Sequence, residues 1–463
     1  MVLVAKTHIQ YNPANPSHCV GEIALSTLED VVKETEKAKQ AFMQWSKTSP
    51  VERGEILRKA ADLIEENIEL IAQTATNEMG KTFLELTGEV KRGATILRYF
   101  AQEGMRAIGE MLPSANPSNV LYSLRVPVGV VGAITPWNFP VAIPLWKIAP
   151  ALIYGNSVVW KPAIENGLTA QLIVECFEKA GLPENTLVLL QGGADIGSAI
   201  VENKHISAIT FTGSNAVGQI IAKQAVALNK KYQLELGGKN AAIVLQDADL
   251  KQAAKLVIEG AMKQTGQRCT ATSRVYIEEA VYEETLKLLC HEVAQIKLGI
   301  KMGPIVSKAQ YEKILGYIEQ AKDQGAQIIT GGKAGTTPDL NEGYFIEPTI
   351  LTNVTQDMSI MKEEVFGPVV AVMKVADYEE ALAFTNDSAF GLSASLFTST
   401  IQHAFDFINR VEVGLVQING ETGGAEPQAP FGGMKSSSSG SREQGQAAKE
   451  FFTTYKTVTI NTK

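Results

Sequence analysis

The stretch ISAITFTGSNAVG, residues 206–218, decides the fold class of this chain. It begins as an apolar, β-branched strand, turns at Gly213 and Ser214, and passes into helical spacing at Gly218. A buried strand that runs directly into a helix is the repeating unit of a parallel sheet covered on both faces. The backbone N–H groups at such a helix start favour an anion, and the glycines let a phosphate approach. The turn matches neither GxGxxG nor a P-loop, so for this stretch alone a plain strand-to-helix turn remains an equal alternative.

The same alternation continues on both sides of that stretch. Apolar runs such as VGVVGAIT, NSVVWKPA and TLVLLQGG precede it, and a second series that includes SRVYIEE, VVAVMKV and SASLFTS follows Asp249. Residues from Leu28 to Arg106 have the three- and four-residue spacing of amphipathic helices. The Gly- and Ser-rich segment APFGGMKSSSSGSREQG is predicted to be a loop whose serines form a flexible connector, and the chain closes with a short helix and a strand. The pattern therefore predicts two α/β domains.

Composition limits the classes of function. The 463 residues are 45% hydrophobic and 20% charged with a net charge of -8, which predicts a globular protein of two or more domains that binds small molecules rather than nucleic acid. The four cysteines are far apart and the five histidines are scattered, so we expect no disulfide framework and no metal site. The N-terminus MVLVAKTHIQYNP has no leader pattern and no apolar run approaches membrane length. These features predict a cytoplasmic protein that does not enter the membrane.

Two residues are candidates for covalent chemistry. Cys269, in MKQTGQRCTATSRV, follows Gly266 and is flanked by small residues that permit substrate access. It is a candidate nucleophile, and a buried apolar cysteine is the alternative. Asn138 lies in TPWNFP, where prolines fix the backbone and an amide can point at a developing oxyanion. An asparagine that stabilises the turn is the alternative there.

Two further residues are ionisable groups on strands. Glu235 interrupts an apolar strand one residue ahead of Leu236 and the two glycines that follow it, and partial burial would raise its pKa towards that of a general base. Lys161 ends an apolar strand before Pro162, at the edge where open α/β sheets bind ligands. A solvated strand end is the alternative for Lys161.

Six motifs together resemble the aldehyde dehydrogenase superfamily in their order and spacing over nearly the whole chain. They are TPWNFP, KPA, FTGSNAVG, LELGGKN, GQRCTA and EEVFGPVV. The resemblance implies an aldehyde dehydrogenase-like fold of two doubly wound α/β domains plus a small β oligomerisation arm. It places a dinucleotide-binding domain at 1–108 and 128–236, a catalytic domain at 237–431, and the arm at 109–127 and 445–463.

The resemblance also implies the chemistry. Cys269 attacks the aldehyde, Asn138 and the Cys269 N–H hold the oxyanion, hydride passes to NAD or NADP, and Glu235 activates water to release the acid. Lys147 lies near Glu235 and relays protons. The implied contacts of the cofactor are Pro136, Trp137, Lys161, Ile164, Gly213, Ser214, Gly218, Leu236, Glu364 and Phe366.

One departure from the family concerns the cofactor. Members that favour NAD often carry Glu at the position of Ile164, where its carboxylate binds the adenine ribose. Without that carboxylate a 2′-phosphate meets less repulsion, so we expect NADP to be accepted. The neighbouring Glu165 is a competing carboxylate.

The substrate is predicted to be an acidic aldehyde. Lys263 occupies the position of an arginine in succinate semialdehyde dehydrogenases, and Arg268 adjoins the nucleophile; solvated surface charges are the alternative. Trp146 stands where that subgroup has its other arginine, and the tail SREQGQAAKEFFT is more similar to 2-oxoglutarate semialdehyde dehydrogenases. 2-Oxoglutarate semialdehyde therefore ranks first and succinate semialdehyde second.

Other functions remain open from sequence alone. The alternatives are a broad-specificity aliphatic or aromatic aldehyde dehydrogenase and a cysteine esterase that needs no cofactor. The resemblance also implies a homodimer or a homotetramer.

Overall fold

The computed structural model of the chain describes residues 6–335 and 343–463. Two segments lie outside the described residues. They are residues 1–5, part of the N-terminus for which the sequence predicts no leader, and residues 336–342, inside the predicted catalytic domain. The strands are β1 Thr7–Asn12, β2 Asn15–Ala24, β3 Gly109–Leu112, β4 Asn119–Pro127, β5 Val130–Ile134, β6 Ser157–Lys161, β7 Leu187–Leu189, β8 Ile206–Thr212, β9 Lys231–Glu235, β10 Asn240–Val244, β11 Thr272–Glu278, β12 Gln327–Thr330, β13 Thr349–Thr352, β14 Val369–Val375, β15 Phe390–Gly391, β16 Ser393–Phe397, β17 Leu415–Ile418, β18 Met434–Lys435, β19 Ser438–Ser439 and β20 Thr453–Asn461. The α-helices are α1 Leu28–Trp45, α2 Pro50–Glu66, α3 Ile68–Met79, α4 Phe83–Glu103, α5 Ala142–Ile153, α6 Gly167–Lys179, α7 Ala194–Glu202, α8 Asn215–Ala227, α9 Leu250–Met262, α10 Tyr282–Ala294, α11 Lys308–Asp323, α12 Ser359–Lys362, α13 Tyr378–Asn386, α14 Ile401–Arg410 and α15 Ala447–Phe452.

The first large sheet has the strand order β19-β9-β8-β5-β6-β7. Strands β5 to β9 are parallel, and β5, the first of them in the chain, lies in the middle. The chain adds β6 and β7 on one side of β5 and then crosses to add β8 and β9 on the other. This reversal of direction opens a crevice beyond the carboxyl ends of β5 and β8, the usual ligand site of an open α/β sheet.

The second large sheet is built in the same way. Its order is β12-β13-β14-β11-β10-β16-β17, with every pair parallel except β12 with β13. Its chain order reverses between β10 and β16. The predicted pair of doubly wound α/β units is therefore confirmed.

Helix α1 packs on strands β5 to β7 of the first sheet, whereas α2 and α3 pack on α4, which in turn packs on α5. Thr82 caps α4, because its side chain accepts from the Glu85 N–H while the Glu85 carboxylate accepts from the Thr82 N–H. A Cβ on Gly93 would lie 2.7 Å from Leu145 Cδ1, so glycine lets α4 and α5 approach closely. This packing fixes α4 against the segment that carries Asn138.

A third sheet, β20-β4-β3, joins the two ends of the predicted oligomerisation arm. Strand β20 pairs antiparallel with the whole of β4, from Thr453 opposite Pro127 to Asn461 opposite Asn119. The predicted domain bounds stay a prediction. No helix among the described residues combines the length and apolar character needed to cross a membrane.

The serine-rich segment is not the flexible loop that the sequence predicts. Residues 434–435 pair with β15, and Ser438 and Ser439 pair antiparallel with Glu235 and Leu234 of β9. The segment thus adds a short sixth strand to the edge of the first sheet. The prediction of a flexible connector was wrong because the local composition of a two-residue segment does not show which distant strand edge it will join.

Candidate active site

A cavity of about 160 Å³ opens at the carboxyl ends of β5 and β8. Loops from both large sheets meet there. The cavity is lined by Pro136, Trp137, Asn138, Thr212, Gly213, Ser214, Leu236, Gly237, Cys269, Gln310, Lys313, Glu364 and Phe366. It brings together Cys269, Asn138 and most of the predicted cofactor contacts.

The loop before Cys269 is tightly bent. Gln264, Thr265 and Gly266 have positive φ values of 55°, 59° and 66°. A Cβ on Gly266 would lie 2.1 Å from a backbone oxygen, so only glycine fits. Asn240 fixes the other side of the bend, since its Nδ2 donates to the carbonyl of Cys269 at 2.8 Å and to that of Ala271 at 2.9 Å. The thiol is therefore held at the cavity by backbone geometry rather than by packing alone.

Cys269 is partly exposed and lines the cavity. Burial, followed by the carboxylates of Glu364 and Glu235, raises the pKa of Cys269 to about 12, against a smaller lowering effect of Arg268. A thiolate at this position therefore requires an additional positive charge nearby.

Asn138 reaches across to the same loop. Its Nδ2 donates to the carbonyl oxygen of Gln267 at 3.0 Å, and the residue is buried. An amide has two N–H donors, so one anchors the side chain and the other remains for an oxyanion formed at Cys269.

Glu235 is buried behind the cavity and is not among the residues that line it. Its Oε2 accepts from the Ser438 hydroxyl at 2.5 Å, and that hydroxyl in turn accepts from the Gly433 N–H at 2.6 Å. Burial and the neighbouring Glu443 carboxylate raise the pKa of Glu235 well above its ordinary value, whereas Ser438, Lys147 and Arg442 lower it less strongly. Glu235 therefore holds a proton readily in this position.

Lys147 is close enough to lower the pKa of Glu235, but its direct partner is a residue that the sequence analysis missed. Lys147 Nζ donates to the Glu443 carboxylate and, at 2.9 Å, to the Thr210 hydroxyl. Glu443 lies in the SREQG segment and is buried. The only sequence feature that could have pointed to Glu443 is that it is a lone carboxylate in a loop of small and polar residues, and this feature is weak.

The start of α8 forms the floor of the cavity. Ser214 is the N-cap of the helix, and its hydroxyl faces the Val217 N–H at 3.5 Å. Gly218 lies behind this turn, where a Cβ would be 2.5 Å from Leu236 Cδ2. Leu236 itself lines the cavity. Close packing of helix, strand and cavity wall thus explains this glycine.

The opposite wall is made by Glu364 and Phe366. Glu364 Oε1 accepts from the Gly238 N–H at 3.0 Å, and burial raises the pKa of Glu364 to about 7. A Cβ on Gly237 would lie 2.4 Å from Glu364 Oε2, so the glycine lets this carboxylate lie close to the backbone. The Phe366 ring meets that of Trp137 edge to face at 5.5 Å.

Lys161 and Ile164 lie outside this cavity. Lys161 is buried, and its Nζ donates to the carbonyls of Pro162 at 3.0 Å and Gly192 at 2.9 Å. Burial lowers its pKa, and Glu165 and Asp195 oppose this effect. Ile164 begins a 3-10 turn, Ile164–Asn166, three residues after Lys161.

The predicted substrate residues are engaged with other groups. Lys263 Nζ lies 3.0 Å from the carboxylate of Glu259 and 3.3 Å from that of Glu421. Arg268 donates to the Gly260 carbonyl at 2.6 Å and lies 3.6 Å from Glu421. Their charges are therefore largely balanced.

Trp146, the third predicted substrate residue, is buried, and its ring lies 5.4 Å from that of Phe431. Neither Trp146, Lys263 nor Arg268 lines the cavity at Cys269 in the described parts of the chain. Their predicted substrate role stays a prediction.

Gln310 and Lys313 of α11 also escaped the sequence analysis, although both line the cavity. They lie on an ordinary amphipathic helix whose exposed face carries many similar side chains. Within residues 6–335 and 343–463, no group of three or more His, Cys, Asp or Glu side chains could hold a metal ion.

Comparison with known proteins agrees with this geometry. Residues 4–458 match the model of the aldehyde dehydrogenase family. The chain is 50% identical to the alpha-ketoglutaric semialdehyde dehydrogenase of Bacillus subtilis over 97% of its own length and 93% of the relative's. It is 42% identical to the 2,5-dioxopentanoate dehydrogenase of Saccharolobus solfataricus, over 97% of this chain and 95% of that one.

A crystal structure of Staphylococcus aureus betaine aldehyde dehydrogenase in complex with NAD+ matches with a TM-score of 0.96 and 35% identity. The match covers 99% of this chain and 92% of that one. The motifs, the doubly wound sheets and the cysteine cavity thus have one common explanation: the chain belongs to the aldehyde dehydrogenase family and is an oxidoreductase that acts on aldehydes.

Proposed function

We propose that this protein oxidises an acidic semialdehyde to the carboxylic acid with NAD or NADP, through a thioester on Cys269. The observation that carries the proposal is that the Cys269 thiol and the Asn138 amide share one cavity with the loops that follow β5 and β8. A nucleophile, an oxyanion donor and the ligand crevice of a doubly wound sheet are the parts that this reaction needs.

The residues present fit a nicotinamide dinucleotide. The N-terminus of α8 with Gly213 and Ser214 suits a phosphate, and the Trp137 and Phe366 rings offer apolar surface to a planar ring. Glu364 and Lys313 are polar groups for ribose hydroxyls and phosphate. When bound, the nicotinamide supplies the acceptor for the hydride that leaves the substrate carbon.

In the proposed reaction the Cys269 sulfur attacks the aldehyde carbon. The thiol gives its proton to solvent water as the sulfur–carbon bond forms, and the Asn138 Nδ2–H and the Cys269 N–H hold the oxyanion of the thiohemiacetal. After the carbon has been oxidised, the acyl group remains on sulfur as a thioester. Because Asn138 is anchored to Gln267, two residues before Cys269, donor and nucleophile keep their relative position.

Hydrolysis of the thioester requires a base, which we assign to Glu235. The carboxyl group must be ionised to take a proton from water, and its neighbours Lys147 and Ser438 favour the ionised form. Lys147 and Glu443 form a buried ion pair beside it that can accept the proton in turn. Lys161 is assigned to the adenosine end of the cofactor. Ile164, three residues after Lys161, offers no carboxylate that would oppose a 2′-phosphate.

For the substrate we propose 2-oxoglutarate semialdehyde first and succinate semialdehyde second. Support comes from the names of the relatives at 50% and 42% identity. Lys263, Arg268 and Trp146 remain candidate contacts.

We also propose that the chain works in the cytoplasm as a homodimer or a homotetramer. The faces and edge of the β3, β4 and β20 sheet support an assembly, because Met111, Tyr455 and Ile460 are exposed there and strand edges pair readily. Light scattering on the purified protein tests this part, and a monomer at micromolar concentration would contradict it.

The experiment that tests the function is a matrix of aldehydes against both dinucleotides. Wild type and Cys269→Ala are assayed with 2-oxoglutarate semialdehyde, succinate semialdehyde, butanal and benzaldehyde, each with NAD and with NADP, by the absorbance of the reduced cofactor. We expect the highest kcat/KM with an acidic aldehyde and no turnover by Cys269→Ala. Higher kcat/KM with the neutral aldehydes would refute the substrate class, and ester cleavage without cofactor reduction would favour an esterase.

A further inference from the structure

Arg92 is a partly buried cation on α4 beside the two loops that carry the chemistry. One turn before it, Glu89 Oε1 accepts from the Val141 N–H at 2.9 Å and the Ala142 N–H at 3.0 Å, at the start of α5. At the beginning of α4, Glu85 Oε1 accepts from the Gln264 N–H at 2.6 Å, in the bend before the nucleophile. This face of α4 therefore contacts both the segment after Asn138 and the segment before Cys269.

The third wall around Arg92 is the loop between β17 and β18. Arg92 Nη2 donates to the carbonyl oxygen of Ala425 in that loop. The same loop carries Phe431, whose ring packs on Trp146 of α5. No residue of α4 lines the cavity assigned to the cofactor, within the part of the chain that the structure describes. Arg92 thus lies beside the loops of Asn138 and Cys269 but outside the cofactor cavity, on a side from which a second ligand could approach while the cofactor is bound.

The guanidinium of Arg92 lacks the partners that such a group normally has. Its Nε is buried without a hydrogen-bond partner, and among the described residues no carboxylate lies within 4.0 Å of it. Burial lowers its pKa, and the nearest charges that oppose this effect are Glu89 and Glu426. Glu89 is already bound to Lys81 at 2.7 Å, and Glu426 is exposed.

Two other arginines of this region differ from Arg92 because each has a carboxylate within 4.0 Å. Arg98, on the same helix, binds Asp62 at 2.9 Å and Glu65 at 2.5 Å. Arg268 Nε is also buried without a hydrogen-bond partner, but Arg268 Nη2 donates to the Gly260 carbonyl and lies 3.6 Å from the Glu421 carboxylate. A guanidinium has five N–H donors in a planar fork, and an unpaired one in a partly buried place is suited to a carboxylate that arrives with a ligand.

We propose that Arg92 determines substrate specificity by binding the carboxylate of the acidic aldehyde at the end remote from the carbonyl. This inference rests on the proposed function and adds to it the group that recognises the acid. It assigns to Arg92 the role that the sequence gave to Lys263 and Arg268, whose charges are balanced by Glu259 and Glu421.

The test compares Arg92→Met with wild type on paired acidic and neutral aldehydes, succinate semialdehyde with butanal and 2-oxoglutarate semialdehyde with pentanal. We expect kcat/KM for the acids to fall by about ten- to a hundredfold, mainly through KM, because a charge-assisted bidentate contact is lost. The kcat/KM for butanal and pentanal should change less than about threefold, which is within the usual variation in the binding contribution of a single contact. Glutarate, an unreactive diacid, should inhibit wild type competitively and lose at least about tenfold in affinity with the variant.

Arg98→Met is the matched control, since it removes an arginine of the same helix that is already paired, and it should leave the acid-to-neutral ratio unchanged. Arg92→Lys can keep the hydrogen bond to the Ala425 carbonyl but not the planar fork, so it should fold and still lose severalfold on the acids. If Arg92→Met fails to fold, Arg92→Lys and glutarate inhibition decide the question.

The outcomes separate the two proposals. If wild type has no preference for acidic aldehydes, the proposed substrate class fails. If wild type prefers the acids and the Arg92 variants keep that preference and the glutarate affinity, only the role of Arg92 is overturned.

Discussion

Replacing Ser438 by alanine should slow the hydrolysis of the thioester without affecting its formation. The Ser438 hydroxyl accepts from the Gly433 N–H, so its own hydrogen is directed at Glu235 Oε2, 2.5 Å away. This bond favours the ionised form of Glu235 and lowers its otherwise raised pKa. A hydrogen bond to a charged group contributes about 1.5–3 kcal/mol. Since about 1.4 kcal/mol is a factor of ten, the ionised fraction of Glu235 at a given pH should fall roughly ten- to a hundredfold.

The sign of the pH dependence follows from the role of the base. In the proposed mechanism hydrolysis needs the Glu235 carboxylate, so kcat should rise with pH through the pKa of that group. Because Ser438→Ala removes a group that lowers this pKa, the rising limb of kcat should move to higher pH. At neutral pH we expect kcat to fall about tenfold or more, with recovery in alkaline buffer.

Rapid mixing separates the two half-reactions. The burst of reduced cofactor reports thioester formation and should keep its amplitude in Ser438→Ala, while the steady-state rate falls. Ser438→Thr retains a hydroxyl and should restore the pH profile. Ser439→Ala is the control, because Ser439 belongs to the same bridge but pairs with Leu234. A Ser438→Ala enzyme whose rising limb stays at the wild-type pH would refute the reasoning, whatever its stability.

Three further changes test other parts of the account. Ile164→Glu should reduce kcat/KM for NADP relative to NAD by about tenfold or more, because a carboxylate there repels a 2′-phosphate; an unchanged ratio in paired assays would contradict this. Glu364→Gln should lower the pKa of Cys269. Iodoacetamide should therefore alkylate the cofactor-free thiol of the variant severalfold faster than that of wild type above the pKa of Glu364, about 7, and no faster below it, where Glu364 is already neutral. Equal rates for variant and wild type in both pH ranges would show that Glu364 does not act on the thiol. Lys81→Met leaves Glu89 buried without its cation and should lower the free energy of unfolding by about 3–5 kcal/mol in a urea titration; a loss below about 1 kcal/mol would mean that the pair is dispensable.

The residues that sequence reasoning brought together are those whose position follows from local order. Asn138 follows β5, Ser214 follows β8, and parallel strands end at the same edge of a sheet, so both had to face one crevice. The strand pattern, the glycines and the six motifs therefore predicted the fold and the place of Cys269. These positions depend on the strands being parallel, which the alternation of apolar strands with helices indicates.

The residues that sequence reasoning missed depend on contacts between distant parts of the chain. Ser438 and Glu235 are 203 residues apart, and Lys147 and Glu443 are 296 apart. A local pattern does not state which strand edge a serine segment will join or which cation a lone glutamate will meet. The same limit affected Lys263, whose charge was visible in the sequence but whose partner Glu421 is 158 residues away.

The segment that carries Ser438 and Glu443 completes the surroundings of Glu235, the proposed general base. Glu235, Lys147 and Glu443 place two carboxylates and one ammonium group in a buried region, so the cluster carries a net negative charge when all three are ionised. Burial and the Glu443 carboxylate oppose that state at Glu235, and Ser438, Lys147 and Arg442 offset them only in part, so the pKa of Glu235 is raised. Glu443 and Ser438 both come from the segment that adds β19 to the first sheet, and they act on Glu235 in opposite directions. The docking of this one segment therefore sets how readily the base ionises, while Cys269 and Asn138 are held by contacts elsewhere in the fold.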